Sequence, residues 1–211
     1  MESIRNIIKE HIEWRGQIIR LAKSDIIKTY SGAALGWAWA LVKPVITIAV
    51  LWFAFTIGLR GGSSVNGYPF ILWMIPGFVS WFFMRDMLTQ GAGAIRKYKF
   101  LVTKMKFPVS TIPTFIAFSN LIIHVGLLII ACLIFIAAGR FPDIYWLQIP
   151  FYMLLMLMFW ISWGLFSSLL SAMSKDFLNL VKSITTAVFW LSGIMWNVNS
   201  VDIPWLQKLL F

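Results

Sequence analysis

The sequence predicts an all-α integral membrane protein. Of its 211 residues, 60% are hydrophobic and 12% are charged, whereas soluble domains carry about 25% charged residues. Apolar segments of about 20 residues recur along the chain, and a helix of that length crosses a hydrocarbon layer about 30 Å thick. The first 34 residues instead intersperse apolar and charged positions. We therefore expect one amphipathic helix and at least five transmembrane helices, with a sixth in the complete protein.

The N-terminal segment, residues 1–34, carries the amphipathic pattern. Isoleucines recur at three- and four-residue steps between Ile4 and Ile26, with acidic and basic residues between them. This spacing puts apolar side chains on one face of a helix. Trp14 and the surplus of basic residues suit anionic headgroups, so we expect the helix to lie in the cytoplasmic interface of the membrane. A soluble amphipathic helix packed on a partner is the alternative.

Five apolar segments are long enough to span the membrane. Just before the first of them, Gly32 and Gly36 form a pair of small residues four apart, which predicts a close approach of two helix backbones. The segment 199–211 is amphipathic and predicts an external surface or re-entrant helix, after which a sixth span would follow. The predicted spans lie at about 35–58, 70–90, 112–138, 147–173 and 181–198, within a transmembrane domain over 35–198.

Basic residues divide unevenly between alternate loops. Thirteen Lys and Arg residues fall in the N-terminal segment, the 91–111 loop and the 174–182 loop, and three fall in the opposite loops. The positive-inside rule then puts the N-terminus and the 91–111 loop in the cytoplasm. Lys43 and Arg85 lie within spans near the same membrane face, where long side chains reach the headgroups. Membrane topology thus accounts for the net charge of +10, and we expect no nucleic-acid partner.

Three stretches of the chain carry a family resemblance: RLAKSDIIKTYSGAALGWAWALVKP (20–44), KYKFLVTKMKFPVSTIP (97–113) and the segment 175–211. In order, they resemble the membrane entrance, the cytoplasmic loop and the last spans of polysaccharide-exporting ABC type-2 permeases, among them teichoic-acid and O-antigen permeases. Lys28 stands where arginine is common in that family. The entrance motif is carried by Asp25, Lys28, Tyr30, Leu35, Gly36, Trp39 and Pro44.

This resemblance implies an exporter built from two membrane subunits and two ATPase subunits. Its cargo would be a lipid-linked polysaccharide or polyol-phosphate polymer, moved outward across the bacterial inner membrane. The resemblance also implies a coupling helix in the 91–111 loop, seated in a groove of the ATPase, with Tyr98 and Phe100 as anchors. A solvated basic loop that fixes orientation is the alternative. The residues expected to take part are Arg96, Lys97, Tyr98, Lys99, Phe100, Lys104, Phe107 and Pro108.

No catalytic constellation emerges from the residues themselves. The sequence has no G-x-x-x-x-G-K-[ST] motif, so we expect no ATPase activity in this chain and ATP on a partner subunit. The eight acidic residues are scattered, and none forms a D-x-D pair. Cys132 is the single cysteine, which leaves no disulfide or thiol metal site. We expect no cofactor and no metal in this chain.

Two other classes of membrane protein remain as alternatives. A gradient-driven flippase for lipid-linked sugars needs ionisable residues deep in the membrane, and the candidates are Arg85, Asp86 and His124. We expect Arg85 and Asp86 to anchor or pair, and His124 to make an interhelical hydrogen bond. An integral-membrane glycosyltransferase would need clustered carboxylates to activate a hydroxyl or hold a nucleotide sugar.

Aromatic residues are concentrated on the first and fifth predicted spans. Most aromatic side chains in a membrane protein face lipid or pack between helices, because Trp and Tyr collect at the interfaces. Aromatic faces also give sugar rings an apolar surface that does not trap a polyanion. Because one pair of short spans cannot enclose a channel, we expect a homodimer whose first and fifth helices face each other. The candidate polymer path consists of Trp39, Trp52, Phe55 and Trp190.

Overall fold

The computed structural model of the protein describes residues 2–58, 64–65, 67–104 and 106–196, and most of them are helical. Four continuous helical stretches in this part of the chain are long and apolar enough to cross a membrane. They are Gly36–Gly58, Phe70–Gly91, Thr111–Ala137 and Ile144–Met173, and they correspond to the first four predicted spans. The prediction of an all-α membrane protein is therefore confirmed.

The amphipathic segment forms two helices instead of one: α1 is Glu2–Glu13 and α2 is Arg15–Thr29. The break falls at Trp14, whose ring packs edge-on against Phe107 with 5.2 Å between the ring centroids. Gly16, two residues after Trp14, also weakens helix continuation, because glycine is a poor helix former. The predicted single helix is therefore divided by a tertiary contact.

The membrane helices carry local departures from α geometry at their ends. A 3₁₀ turn at Gly36–Ala38 precedes the first of them, α3 (Trp39–Phe53), and a π-helical turn at Ala54–Gly58 follows it. The second, α4 (Phe70–Asp86), passes into a π-helical turn at Met87–Gly91. The core membrane helices are α3 (Trp39–Phe53), α4 (Phe70–Asp86), α7 (Thr111–Ala137) and α8 (Ile149–Met173), and two short helices, α5 (Ala94–Lys97) and α6 (Lys99–Lys104), lie between α4 and α7.

The last helix, α9, is Lys175–Leu191 and has 17 residues. It begins earlier than the predicted span because the Ser174 hydroxyl accepts a hydrogen bond from the Phe177 amide, which caps its N-terminus. The charged segment 174–182, expected as a loop, is therefore helical from Lys175 onward. The fifth span over 181–198 stays a prediction because its last residues lie outside the described part, as does the predicted external helix 199–211.

Gly32 and Gly36 do not serve the close helix packing expected of them. A Cβ atom built on either glycine would meet nothing within 4 Å. Both residues instead have positive φ, +83° at Gly32 and +51° at Gly36. Glycine adopts this left-handed conformation without the steric cost that a side chain brings. The pair therefore shapes the turn that leads from α2 into α3.

The buried core lies around α4 and α7. One cluster joins α4 to α7 and includes Phe78, Phe82 and Leu127. A second cluster packs α2 against the start of α7 through Ile18, Ala22, Ile112, Phe115 and Ile116. The second amphipathic helix, α2, is therefore fixed to the transmembrane bundle along its inner face.

Candidate functional site

Asp25 is the centre of a polar cluster that joins three parts of the chain. Its carboxylate is 5% exposed. Oδ1 accepts hydrogen bonds from Lys97 Nζ at 2.6 Å and from the Tyr98 hydroxyl, and Oδ2 accepts one from Ser119 Oγ at 2.9 Å. The Asp25 network, defined by Asp25, Lys97, Tyr98 and Ser119, thus ties α2 to the α5–α6 segment and to α7.

The donors in this network match the charge that they surround. A buried carboxylate is stable when it is paired and hydrogen-bonded, because its desolvation is then compensated. Burial, together with the hydrogen bond to Asp25, raises the pKa of the Tyr98 phenol above its ordinary value. Tyr98 therefore stays protonated at neutral pH, and its hydroxyl donates a hydrogen bond to Asp25. The Lys97 side chain, 42% exposed, reaches the same oxygen from the solvent side.

The α5–α6 segment has an inner side and an outer side. On the inner side, Tyr98 and Leu101 are buried, and Arg96 Nε donates a hydrogen bond to the backbone oxygen of Ser171 in the last turn of α8. A cation near a helix C-terminus is favourable, because the partial charge there is negative. The outer side, which we call the basic outer face, consists of Lys99, Phe100, Val102 and Lys104, all exposed.

This arrangement corrects one expected role. Tyr98 was expected to anchor a partner from the surface, but its side chain is buried and bonded to Asp25 inside the subunit. Phe100, 46% exposed, keeps the position expected of an anchor. Tyr98 instead holds the segment from behind, with its ring edge-on to Phe115 at 4.8 Å between centroids.

Phe107 and Pro108 lie in the connection between α6 and α7. Phe107 contacts Trp14 at the break between α1 and α2. The Pro108 carbonyl accepts hydrogen bonds from the Thr111 amide at 3.1 Å and from the Thr111 hydroxyl at 2.8 Å. His11 Nε2 lies 2.7 Å from Thr114 Oγ1, which adds a contact between α1 and α7. These residues fix the N-terminal helices to α7 and do not lie on the basic outer face.

The remaining entrance-motif residues gather at the turn between α2 and α3. The Lys43 ammonium lies 5.4 Å from the ring centroid of Tyr30 and 6.0 Å from that of Trp39, within the range of a cation–π contact. Burial and the nearby Asp86 carboxylate raise the pKa of the Tyr30 phenol. Lys28 is exposed on α2. Pro44 lies in the second turn of α3.

The ionisable residues inside the membrane make the contacts that we expected. Arg85 pairs with Asp86, with 2.8 Å between Nη2 and Oδ1 and 3.0 Å between Nε and Oδ1. His124 Nδ1 on α7 lies 3.2 Å from the Val79 carbonyl oxygen on α4, which makes an interhelical hydrogen bond. Both expectations are confirmed.

The four aromatic residues of the candidate polymer path have different surroundings. Trp52 and Phe55 pack against the α4 cluster, and the Phe55 ring lies 6.2 Å from that of Phe70. Trp190 is 56% exposed on α9. Trp39 lies at the opposite end of α3 from Trp52, beside Lys43. Within one subunit these residues do not form a single surface, and their role in transport stays a prediction.

The residue that sequence reasoning missed is Ser119. It donates to Asp25 and also to the backbone oxygen of Ala22 at 3.1 Å. A serine in a membrane helix is common and usually bonds to its own helix backbone. Its position one residue before Asn120, in an otherwise apolar stretch, was the only signal that the sequence offered.

Comparison with known proteins gives two matches. Residues 16–211 match the profile of a family described as ABC-2 type transporter. The chain is also 23% identical over 196 residues to the O-antigen export system permease protein RfbA of Myxococcus xanthus, an alignment that covers 93% of this chain and 74% of that protein.

Proposed function

Because the chain belongs to the ABC-2 type transporter family, we propose that it is the membrane-spanning subunit of an ATP-driven exporter of a lipid-linked cell-surface polysaccharide. The relative from Myxococcus xanthus is named for O-antigen export, which favours an O-antigen-like glycan over a teichoic acid as the cargo. In this proposal the N-terminus lies in the cytoplasm and the polymer leaves across the bacterial inner membrane. ATP is hydrolysed on a separate polypeptide.

The observation that carries this proposal is the construction of the α5–α6 segment. Its basic outer face presents Lys99, Phe100 and Lys104. Its inner side is fastened to α2 and α7 by the Asp25 network and to α8 by Arg96. A segment that binds an ATPase on one side and three helices on the other can transmit a movement of the ATPase to the membrane domain.

The paired state of Arg85, Asp86 and His124 supports ATP as the energy source. A proton relay requires ionisable groups that change partners during transport. Arg85 and Asp86 are bonded to each other, and His124 is bonded to the backbone of α4. We therefore favour the ATP-driven exporter over the gradient-driven flippase.

Export into inside-out membrane vesicles tests the energy source. Vesicles that contain the chain and its ATPase should move lipid-linked polysaccharide into the lumen when ATP is added. A proton ionophore should leave this export unchanged, and an ATPase variant unable to hydrolyse ATP should abolish it. Export driven by an imposed proton gradient in the absence of ATP would contradict the proposal and favour the flippase.

The exposed apolar faces of α3 and α9 support a homodimer. Phe53 on α3 and Leu191 on α9 are both largely exposed. Large apolar surfaces on a membrane helix face either lipid or another subunit. In a Cys132→Ala background, cysteines at Phe53 and Leu191 should cross-link between subunits, and a cysteine at the exposed Leu133 of α7 paired with Leu191→Cys should not. Equal cross-linking of both pairs would contradict the proposed interface.

A further inference from the structure

A small polar cavity lies among four elements near the predicted cytoplasmic membrane face. It has a volume of about 80 Å³ and is bounded by the α2–α3 turn, α3, α4 and α7. Because about 10–15 Å³ of such volume holds one water molecule, the cavity has room for several waters or for one small anionic group. Its polar lining consists of Tyr30, Lys43, Arg85, Asp86, Asn120 and His124.

The charges around this cavity do not balance. Lys43 and Arg85 bring two positive charges, and Asp86 brings one negative charge. Asp86 is bonded to Arg85 through Nε and one terminal nitrogen. Within the described residues, Lys43 Nζ makes no ion pair and contacts the rings of Tyr30 and Trp39. Lys43 is exposed in the subunit, so its ammonium is available to an anion that enters the cavity.

The donor groups of the cavity suit a phosphoryl anion. The Arg85 guanidinium and the Lys43 ammonium are the side-chain types that bind phosphate oxygens. The Tyr30 hydroxyl, which stays protonated at neutral pH, and the Asn120 amide line the same space. Asp86 orients the guanidinium of Arg85 and limits the net charge to one positive unit. A site with one net positive charge can bind an anion and still release it, as transport requires.

We propose that this cavity binds the phosphoryl group of a membrane lipid and, in the working exporter, the phosphoryl group that links the polymer to its lipid. The second clause rests on the proposed function, since it assumes a lipid-linked cargo. The first clause does not, because binding of a lipid phosphate can be measured without transport. Trp39 and the start of α3 set the cavity at the depth of the headgroups, where a lipid brings its phosphate.

Binding is measured on the purified complex of the chain with its ATPase in mixed micelles. Phosphatidic acid with a fluorescent acyl chain is titrated and its anisotropy is recorded, with diacylglycerol of the same chains as the probe that lacks phosphate. Inorganic diphosphate is added as a competitor in a second arm. The variants are Lys43→Gln and the double variant Arg85→Gln/Asp86→Asn, which removes both members of the ion pair. Lys182→Gln, an exposed cation on the same predicted membrane face, is the matched control.

We expect both variants to bind phosphatidic acid about tenfold more weakly, since a hydrogen bond to a charged group contributes enough for a factor of that size. Lys43→Arg should restore binding, and Lys182→Gln should leave it unchanged. Diacylglycerol should bind equally to all variants. Weak competition by inorganic diphosphate identifies the lipid as the source of the phosphate, and strong competition identifies a site that also accepts the free anion.

The inference fails if phosphatidic acid binds equally well to the wild type and to both variants, or if Lys182→Gln lowers binding as much as they do. Thermal unfolding of each variant separates a lost site from a lost fold. This outcome is independent of the vesicle export assay, so a chain that binds lipid phosphate without exporting polysaccharide contradicts the proposed function alone.

Discussion

At the scale of single residues, Asp25 takes its hydrogen-bond donors from distant parts of the chain. Its three donors come from residues 72, 73 and 94 positions further along the sequence. The carboxylate charge stabilises all three hydrogen bonds at once, because charge-assisted bonds are stronger than neutral ones. A neutral side chain of the same size at position 25 should therefore weaken all three hydrogen bonds.

Replacing Asp25 by Asn tests this dependence. We expect Asp25→Asn to lower the free energy of unfolding by about 1–3 kcal/mol, because Lys97 loses its counter-charge and two hydroxyl donors lose a charged acceptor. The loss stays below that of a fully buried ion pair, since Lys97 is half-exposed. The measurement is the thermal unfolding of the purified subunit in detergent. Glu13→Gln, at an exposed position of α1, is the control, and equal melting of wild type and Asp25→Asn would contradict the expectation.

At the scale of elements, the α5–α6 segment separates support from contact. Tyr98 and Leu101 face inward and hold the segment in place, whereas Phe100 and the two lysines beside it face outward. A change on the inner side should therefore act on stability, and a change on the outer side should act on binding of the ATPase. The two effects can be measured separately.

The variant Phe100→Ala tests the outer side. We expect the ATPase to bind about tenfold more weakly, because truncating a central aromatic residue of an interface commonly costs more than ~1 kcal/mol. The melting temperature should stay close to that of the wild type, since Phe100 is half-exposed. Binding is measured with the purified ATPase and the immobilised subunit. Phe141→Ala, at a position that is 74% exposed on the opposite predicted membrane face, should change neither quantity. Unaltered affinity in Phe100→Ala would remove this residue from the interface.

The elements could be predicted from the sequence to different degrees. The first four spans were predictable because long apolar runs need only be counted, and their bounds agree to within a few residues, as at Gly36–Gly58. The break at Trp14 was not, since it depends on Phe107, far along the chain. The start of α9 was missed because Lys175 and Asp176 resemble a loop, although an acidic residue such as Asp176 is favourable in the first turn of a helix.

At the scale of the whole molecule, the uneven charges of the loops set the predicted orientation in the membrane. In a Cys132→Ala background, a cysteine at Ser64 should react with an impermeant maleimide added to intact spheroplasts. A cysteine at Lys99 should react only after the membrane is opened, because the positive-inside rule puts this loop in the cytoplasm. Both positions are exposed, so access and not burial decides the reaction. Reaction of both positions from outside would reverse the proposed topology for the 91–111 loop.

The candidate site could be located in part from the sequence. The entrance motif and the basic segment were both identified, but the bond between them was not, because Asp25 and Lys97 are brought together only when α2 packs on α7. Burial of Tyr98 could not be predicted from the sequence either, since an aromatic residue in a basic loop suggests an exposed contact. Lys43 and Arg85 were each expected to reach the headgroups, and only the packing of α3, α4 and α7 makes them neighbours of one cavity.

The Asp25 network also limits how this subunit can be recombined with its relatives. Its members come from three distant stretches of the chain, around residues 25, 97–98 and 119. A chimaera in which only residues 94–104 come from a relative would place other side chains beside the buried Asp25 carboxylate. We expect it to assemble poorly, even where its outer surface fits the relative's ATPase. Grafting confined to the positions of Lys99, Phe100, Val102 and Lys104 leaves that buried set intact. Partner specificity should therefore change when only the exposed positions of the segment are substituted. Replacement of the whole segment should fail.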